Sequence, residues 1–247
     1  DMLCLPSDVP VAIEKIKAAI KTGRLSWADI EFHCRKVLKA KYDYGLASLK
    51  PINTNNLTND LNRDVNSMRK LIAENALTVL KKTDAVFFPL TAKKDSVKKQ
   101  IVYVNVGNSA NNAMANRMRM DYDADVINFS YQQNDSETAK MISEIKNKYN
   151  KVIIGIHNYT RFPANNFGIS KNAVDLVTQL QQKTKAITFV FGNVYAVKNW
   201  CNAKNLVACY EDDSIVQNAA VDLLQGKIAA QGKLPVTVCE QLKFGTG

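Results

Sequence analysis

The sequence predicts an α/β protein: a doubly wound, mostly parallel, Rossmann-like or flavodoxin-like three-layer sandwich. Two observations carry this. From Gln100 onward, short runs recur that are largely apolar at successive positions, "IVYVNV", "ADVINFS", "KVIIGIH", "AITFVF" and "NLVACY". Strands covered on both faces read this way. Between the runs, apolar residues return every three to four positions, the mark of amphipathic helices that cover a parallel sheet by right-handed crossovers.

The elements follow in order. Asp8 caps a first helix, with Pro10 tolerated in its first turn, a stripe of Ile13, Ile16, Ala19 and Ile20, and Gly23 as its stop. Ser26 with Asp29 three residues on approximates a capping box for a second helix, striped by Ile30, Cys34, Val37 and Leu38 and ended by Gly45. Residues 47–62, polar and rich in Asn, have linker composition. A third helix carries Val65, Met68, Ile72 and Ala76 on one face, and "TVLKK" and "AVFFPL" read as short strands. In the alternating region the helix stripes are Ala110, Met114 and Met118; then Ala139, Ile142 and Ile145; then Val174, Val177 and Leu180; a short helix lies around Val194–Trp200; and the last stripe is Val216, Ala220, Leu223 and Leu224. Near the end, Pro235 opens a β-branched run, and Leu234–Cys239 is expected to complete the sheet.

Hydrophobic residues at 46% and charged residues at 23% are ordinary globular values, enough for a sizeable core. No apolar run reaches the ~18–20 residues that span a bilayer, and the start lacks the pattern of a signal peptide. Without a methionine at position 1, the sequence reads as a piece of something longer. The net charge of +10 is spread along the chain. Its densest cluster, Lys93, Lys94, Lys98 and Lys99, is interrupted by Asp95 and has no aromatic residue between its lysines, so it reads as a solvated rim and not as a nucleic-acid platform. The five cysteines (Cys4, Cys34, Cys201, Cys209, Cys239) are widely spaced without C-x-x-C, and indicate neither a zinc site nor a disulfide framework.

Ligands of such folds bind beyond the carboxyl ends of the strands, where strand order reverses. Gly107-Asn108-Ser109 there lacks the later glycines of a dinucleotide fingerprint, and no P-loop occurs. No cofactor or metal is therefore expected. His157 is the best-placed titratable residue, followed by Asn158, Tyr159 and Arg161. A general base needs an orienting partner and a nucleophile, and the sequence names neither. A contact at the rim of a partner's pocket is the favoured reading. His33 reads as a packing or surface residue, and Asp212 and Asp213 suit the positive end of the helix that follows.

Both ends of the chain resemble family 3 glycoside hydrolases. Gly23-Arg24-Leu25-Ser26, Arg35-Lys36-Val37-Leu38 with Lys41, and Gly45-Leu46 are similar to the close of that family's (β/α)₈ barrel. "RKLIAENALTVLKK" resembles the opening of its second, α/β domain, and Gly232–Val238 with Phe244-Gly245-Thr246-Gly247 resembles that domain's close. The resemblance implies a division into a helical barrel remnant (1–46), a linker (47–62) and an α/β sandwich (63–247). The barrel end looks closer to the β-N-acetylhexosaminidase branch than to the β-glucosidase branch. In that branch an Asp nucleophile and a His–Asp acid/base lie upstream of this start, so the fragment carries no catalytic residue and is expected to be inactive alone. In the β-glucosidase branch the second domain donates a Glu, but no motif transfers that role to Glu137, Glu144 or Glu211. The resemblance implies an upstream barrel and a carbohydrate substrate as partners, and in some bacterial relatives a downstream β-lactamase-like domain; it implies neither nucleic acid nor a membrane span. It is compatible with cytoplasmic and exported bacterial enzymes, with export slightly favoured. A free-standing module for a small anion or nucleotide is the alternative from another class, and residues 1–46 would have no purpose in it.

Overall fold

The computed structural model describes residues 1–91 and 100–247; the lysine cluster at positions 93, 94, 98 and 99 lies outside the described residues. The chain divides into two compact units, residues 1–61 and 62–247.

The first unit holds α1 (Val9–Lys21) and α2 (Trp27–Asp43), followed by a 3₁₀ turn at Leu46–Ser48. Asp8 accepts from the Val11 N–H at 2.9 Å and so caps α1. Ser26 Oγ accepts from Asp29 N while the Asp29 carboxylate accepts from Ser26 N, which closes the capping box of α2. These bonds from Ser26, its backbone N–H first, hold the Asp29 carboxyl below its ordinary pKa. Gly23 and Gly45 end the two helices at φ +72°. Neither helix buries a residue, and Val9, Ile13 and Leu38 stay exposed. Within the Asn-rich stretch a short helix, α3 (Leu57–Asn62), forms. There the Asn56 amide spans Asp60 and Asn59 at 2.9 Å each.

The second unit is built on a six-stranded sheet: β1 (Thr78–Lys82), β2 (Ile101–Val106), β3 (Asp125–Phe129), β4 (Lys151–Ile156), β5 (Lys185–Val190) and β6 (Asn205–Ala208), in spatial order β1-β6-β5-β4-β2-β3. Only β1 is antiparallel to its neighbour. Successive side chains of a strand point to opposite faces, and both faces are covered. Val102, Val104, Val152 and Ile154 meet α6 (Asp135–Lys148), α7 (Lys171–Lys183) and the 3₁₀ turn Val194–Trp200. Tyr103, Ile153, Ile187 and Phe189 meet α4 (Val65–Ala76), α5 (Ala113–Tyr122) and α8 (Ser214–Leu224). The result is the expected three-layer, mostly parallel sandwich, in which each fully buried Val, Leu, Ile or Phe stabilises by about 1.5–3 kcal/mol.

Four local expectations are corrected. On α4 the core-facing residue is Ala73, followed by Leu77, whereas Met68, Leu71 and Ile72 are exposed. The helix lies along α8, and one small residue suffices to let it approach. "AVFFPL" forms a single bridge, Phe87 with Leu90, around Pro89, which has no N–H to give a ladder. The terminal segment does not complete the sheet. Its two legs bond to each other, Leu234 N to Thr246 O at 2.7 Å, Gly245 N to Leu234 O at 2.8 Å and Val238 N to Leu242 O at 2.9 Å, so these donors are spent within the loop. Leu234 and Leu242 are nonetheless fully buried beside the 3₁₀ turn. Finally, Cys239 at the tip of this loop is disulfide-bonded to Cys201. A separation of 38 residues carries no spacing signal, and only the fold brings the two sulfurs together.

Candidate functional site

Strand order reverses between β2 and β4. The chain leaving β2 enters α5 on one face, and the chain leaving β4 reaches α7 on the other. The crevice of a doubly wound sheet opens at such a point. Here it is filled from within. Gly107, at φ +92°, ends β2, and a Cβ on it would stand 2.2 Å from the His157 carbonyl oxygen and 2.7 Å from the Tyr131 hydroxyl. The missing side chain admits Tyr131, whose hydroxyl donates to that same carbonyl at 2.6 Å.

His157 follows β4 and is fully buried. Its ring stacks on Phe191, centroids 4.4 Å apart. Nδ1 lies 2.7 Å from Asp212 Oδ1, and Nε2 lies 2.7 Å from the Tyr103 hydroxyl and 3.1 Å from Asn112 Nδ2. The amide orientation fixes the tautomer. Asn112 Oδ1 accepts from Ala115 N as the cap of α5, so its NH₂ faces the ring, Nε2 is the acceptor and Nδ1 carries the proton to Asp212. Gly155 makes room for this: a Cβ there would stand 2.2 Å from the Tyr103 hydroxyl and 2.4 Å from Nε2.

Asp212 also accepts from Gln217 Nε2 at 2.8 Å and from the Asn158 N–H at 2.8 Å. Burial raises its pKa, but the hydrogen bond from His157, with the Asn158 and Gln217 donors, outweighs that and holds it below the ordinary carboxylate value. Burial pushes the hydroxyls of Tyr103, Tyr131 and Tyr159 far up, so they remain donors. The thiol of Cys209 is likewise pushed well up by burial.

The residues expected at a rim thus separate. His157 is enclosed and acts on the surface only through the loop it anchors. Asn158 is exposed at φ +52°, its amide donating to Gly107 O at 3.2 Å. Tyr159 is half-buried and donates to Asn193 O at 3.1 Å. Arg161 is exposed with its guanidinium 4.9 Å over the Phe162 ring, and Asn193 Nδ2 holds its carbonyl at 2.8 Å. Asp213 is not an acid/base partner of Asp212. It caps α8 through Ile215 N and Val216 N and pairs with Arg69. In the first unit, His33 bonds to Asp1 at 2.7 Å. Of the three glutamates, Glu137 closes the capping box of α6, Glu144 faces Lys140 at 4.0 Å, and Glu211 is exposed after Tyr210, a residue at φ +66°. Among the described residues, no group of three His, Cys, Asp or Glu could hold a metal ion, and no helix is long and apolar enough to cross a membrane.

Tyr103, Asn112 and Asp212 were not legible as partners of His157, from which they lie dozens of residues away, nor was Gln217 as a partner of Asp212. A signal did exist: a Tyr and an Asn inside the apolar run "IVYVNV", and a glycine inside "KVIIGI". Polar groups in a buried strand require partners, and a mid-strand glycine marks a close approach.

No protein-family profile and no curated protein matches the chain. Solved structures do. A fungal multi-domain GH3 β-N-acetylglucosaminidase bearing a GCN5-related glucosamine N-acetyltransferase region is 17% identical with a TM-score of 0.63, over 93% of this chain and 26% of that one. A β-glucoside phosphorylase is 16% identical with a TM-score of 0.65, over 91% and 41%. A family 3 β-N-acetylglucosaminidase from Paenibacillus sp. str. FPU-7 is 19% identical with a TM-score of 0.59, over 92% and 43%. The chain therefore spans less than half the length of each of these proteins. At such identities the likeness is one of fold: a mostly parallel α/β three-layer sandwich shared with part of each of these enzymes.

Proposed function

We propose that this chain is the closing part of the barrel (1–46), a linker (47–62) and the non-catalytic α/β domain (63–247) of a bacterial, exported family 3 glycoside hydrolase. The parent enzyme cleaves terminal β-N-acetylglucosaminides with retention, using a nucleophile and an acid/base upstream of Asp1. The observation that carries the reading is the closed network at the switch point. Retention requires a nucleophile and an acid/base both free to act on one bond, and the His157 ring is fully buried between Asp212 and Tyr103. Asp212 is engaged on both oxygens and Asp213 caps a helix. The barrel-end motifs at 23–26 and 35–38 support the N-acetylglucosaminide substrate, and two of the three structures named above are β-N-acetylglucosaminidases. The uncovered apolar side chains of α1 and α2 suit an upstream barrel as partner. Disulfides persist in oxidising compartments, and Cys201–Cys239 supports export. A downstream β-lactamase-like domain, present in some relatives, is compatible with this organisation.

In this reading Asn158, Tyr159 and Arg161 shape the rim of the sugar site, with His157 as their buried anchor. An aryl N-acetylglucosaminide assay tests it. The chain alone gives no turnover, and the chain joined to its native upstream sequence does. In the joined protein, Arg161→Ala raises KM with kcat little changed, the signature of lost uniform binding. Turnover by the chain alone, abolished by one substitution within residues 100–247, overturns the reading. One observation favours a second reading, a β-glucosidase-type enzyme with its acid on this domain: the Glu211 side chain is exposed at the carboxyl edge and, among the described residues, makes no hydrogen bond or ion pair. Glu211→Gln in the joined protein decides, since loss of kcat supports that acid and unchanged kcat removes it.

A further inference from the structure

The terminal loop is fastened to the rest of the second unit by little. Among the described residues, the hydrogen bonds of residues 233–247 join that stretch to itself. Besides the bonds between its legs, Phe244 N donates to Thr237 Oγ1 at 3.1 Å, Thr246 Oγ1 to Lys243 O at 2.7 Å, and Lys233 Nζ to the Gly247 carbonyl. What ties the loop down is the burial of Leu234 and Leu242, with Val238 half-buried beside them, and the Cys201–Cys239 bond. That bond spans 38 residues of chain, so breaking it restores much conformational freedom.

The body side of the bond is a lever. Cys201 follows directly on the 3₁₀ turn Val194–Trp200. Asn193, which caps the other end of that turn, accepts from Tyr195 N at 2.9 Å and from the Tyr159 hydroxyl, and donates to the Arg161 carbonyl. The turn therefore connects the disulfide to the segment that follows β4. Trp200, beside Cys201 and in the same apolar cluster as Leu234 and Leu242, has a buried indole N–H with no hydrogen-bond partner. A buried donor left unpaired is costly, so the closed arrangement carries a cost at this turn that water relieves once the loop lifts.

We infer that the terminal loop is a redox-operated strap. Closed by the disulfide, it clamps the 3₁₀ turn and, through Asn193, the Tyr159–Arg161 segment; reduced, it lifts while the sheet stays folded. The reductant is a small dithiol. Cys239 is half-buried, and a cavity of about 220 Å³ opens beside Cys201, lined also by Gln182, Lys198, Trp200 and Lys204. One thiolate of the dithiol attacks Cys239 Sγ, the S–S bond breaks, and Cys201 leaves as a thiolate favoured by the two lysines. The second thiol then displaces Cys239 and closes the dithiol into its own disulfide. Two electrons and two protons have passed to the protein, which holds two thiols.

Amide hydrogen exchange of the full chain, with and without dithiothreitol, is the test. On reduction, residues 234–246 and 194–201 exchange about ten-fold or more faster, whereas β4 and β5 stay within about two-fold. Reoxidation with oxidised glutathione restores the protection. The double variant Cys201→Ser/Cys239→Ser exchanges like the reduced chain and does not respond to dithiothreitol, which separates the effect from the free thiols of Cys4, Cys34 and Cys209. Unchanged exchange on reduction would mean that the leucines alone hold the loop. Faster exchange throughout the second unit would make the bond a staple of the whole fold. Either result, protection that does not return on reoxidation, or a response of the double variant overturns the inference. No sugar enters the experiment, so its outcome is independent of the proposed function.

Discussion

Helices α2 and α7 begin alike and end differently. Each is capped by a serine, Ser26 accepting from Asp29 N and Ser170 from Ala173 N, and each carries apolar residues at helical spacing. Yet α7 buries Ala173, Leu176, Val177, Leu180 and Gln181, and α2 buries nothing. The cap is a bond between residues three apart, and any chain with that sequence can make it. Burial needs a surface from elsewhere, and in the second unit the sheet supplies it.

The largest expected effect separates the two helices outright. Leu176→Ala opens a hole against the sheet and costs about 2–5 kcal/mol, whereas Leu38→Ala on α2 stays within about 0.5 kcal/mol. Urea unfolding of the two variants measures both, and equal losses would mean that α2 has a covering surface within this chain. Next comes Gly155→Ala. Its Cβ would collide with the Tyr103 hydroxyl and His157 Nε2, and overpacking of this kind costs about 1–3 kcal/mol. A melting temperature equal to that of the parent would show that the network yields at no cost.

Asp212→Asn sharpens the point through pH. The folded carboxyl titrates below its ordinary value of about 3.9. The unfolded state therefore binds a proton first as pH falls, and the stabilisation is present above about pH 4 and lost as pH drops through the folded value. Near neutral pH the variant should be about 1–3 kcal/mol less stable, with the gap closing below pH ~4. A gap that is constant across this range would contradict the charged role. The smallest effects should be alike in both units: Ser26→Ala and Ser170→Ala each weaken their helix by about 1 kcal/mol, because a cap is local in both. Circular dichroism during thermal unfolding compares them.

The sequence by itself determined the elements that depend on near neighbours. The strands β1 to β6 and the helix caps at Asp8 and Ser26 could be read because periodicity and capping act over a few residues. The layer architecture followed from strand–helix alternation. Tertiary structure alone decided which face of α4 is turned inward, that the terminal run folds on itself and not into the sheet, and that Cys201 meets Cys239. It also decided that His157 lies enclosed between Tyr103 and Asp212, and not open at a rim. Each of these depends on residues far apart in the chain, whose meeting is set by the packing of whole elements, and no local pattern of amino acids encodes that meeting.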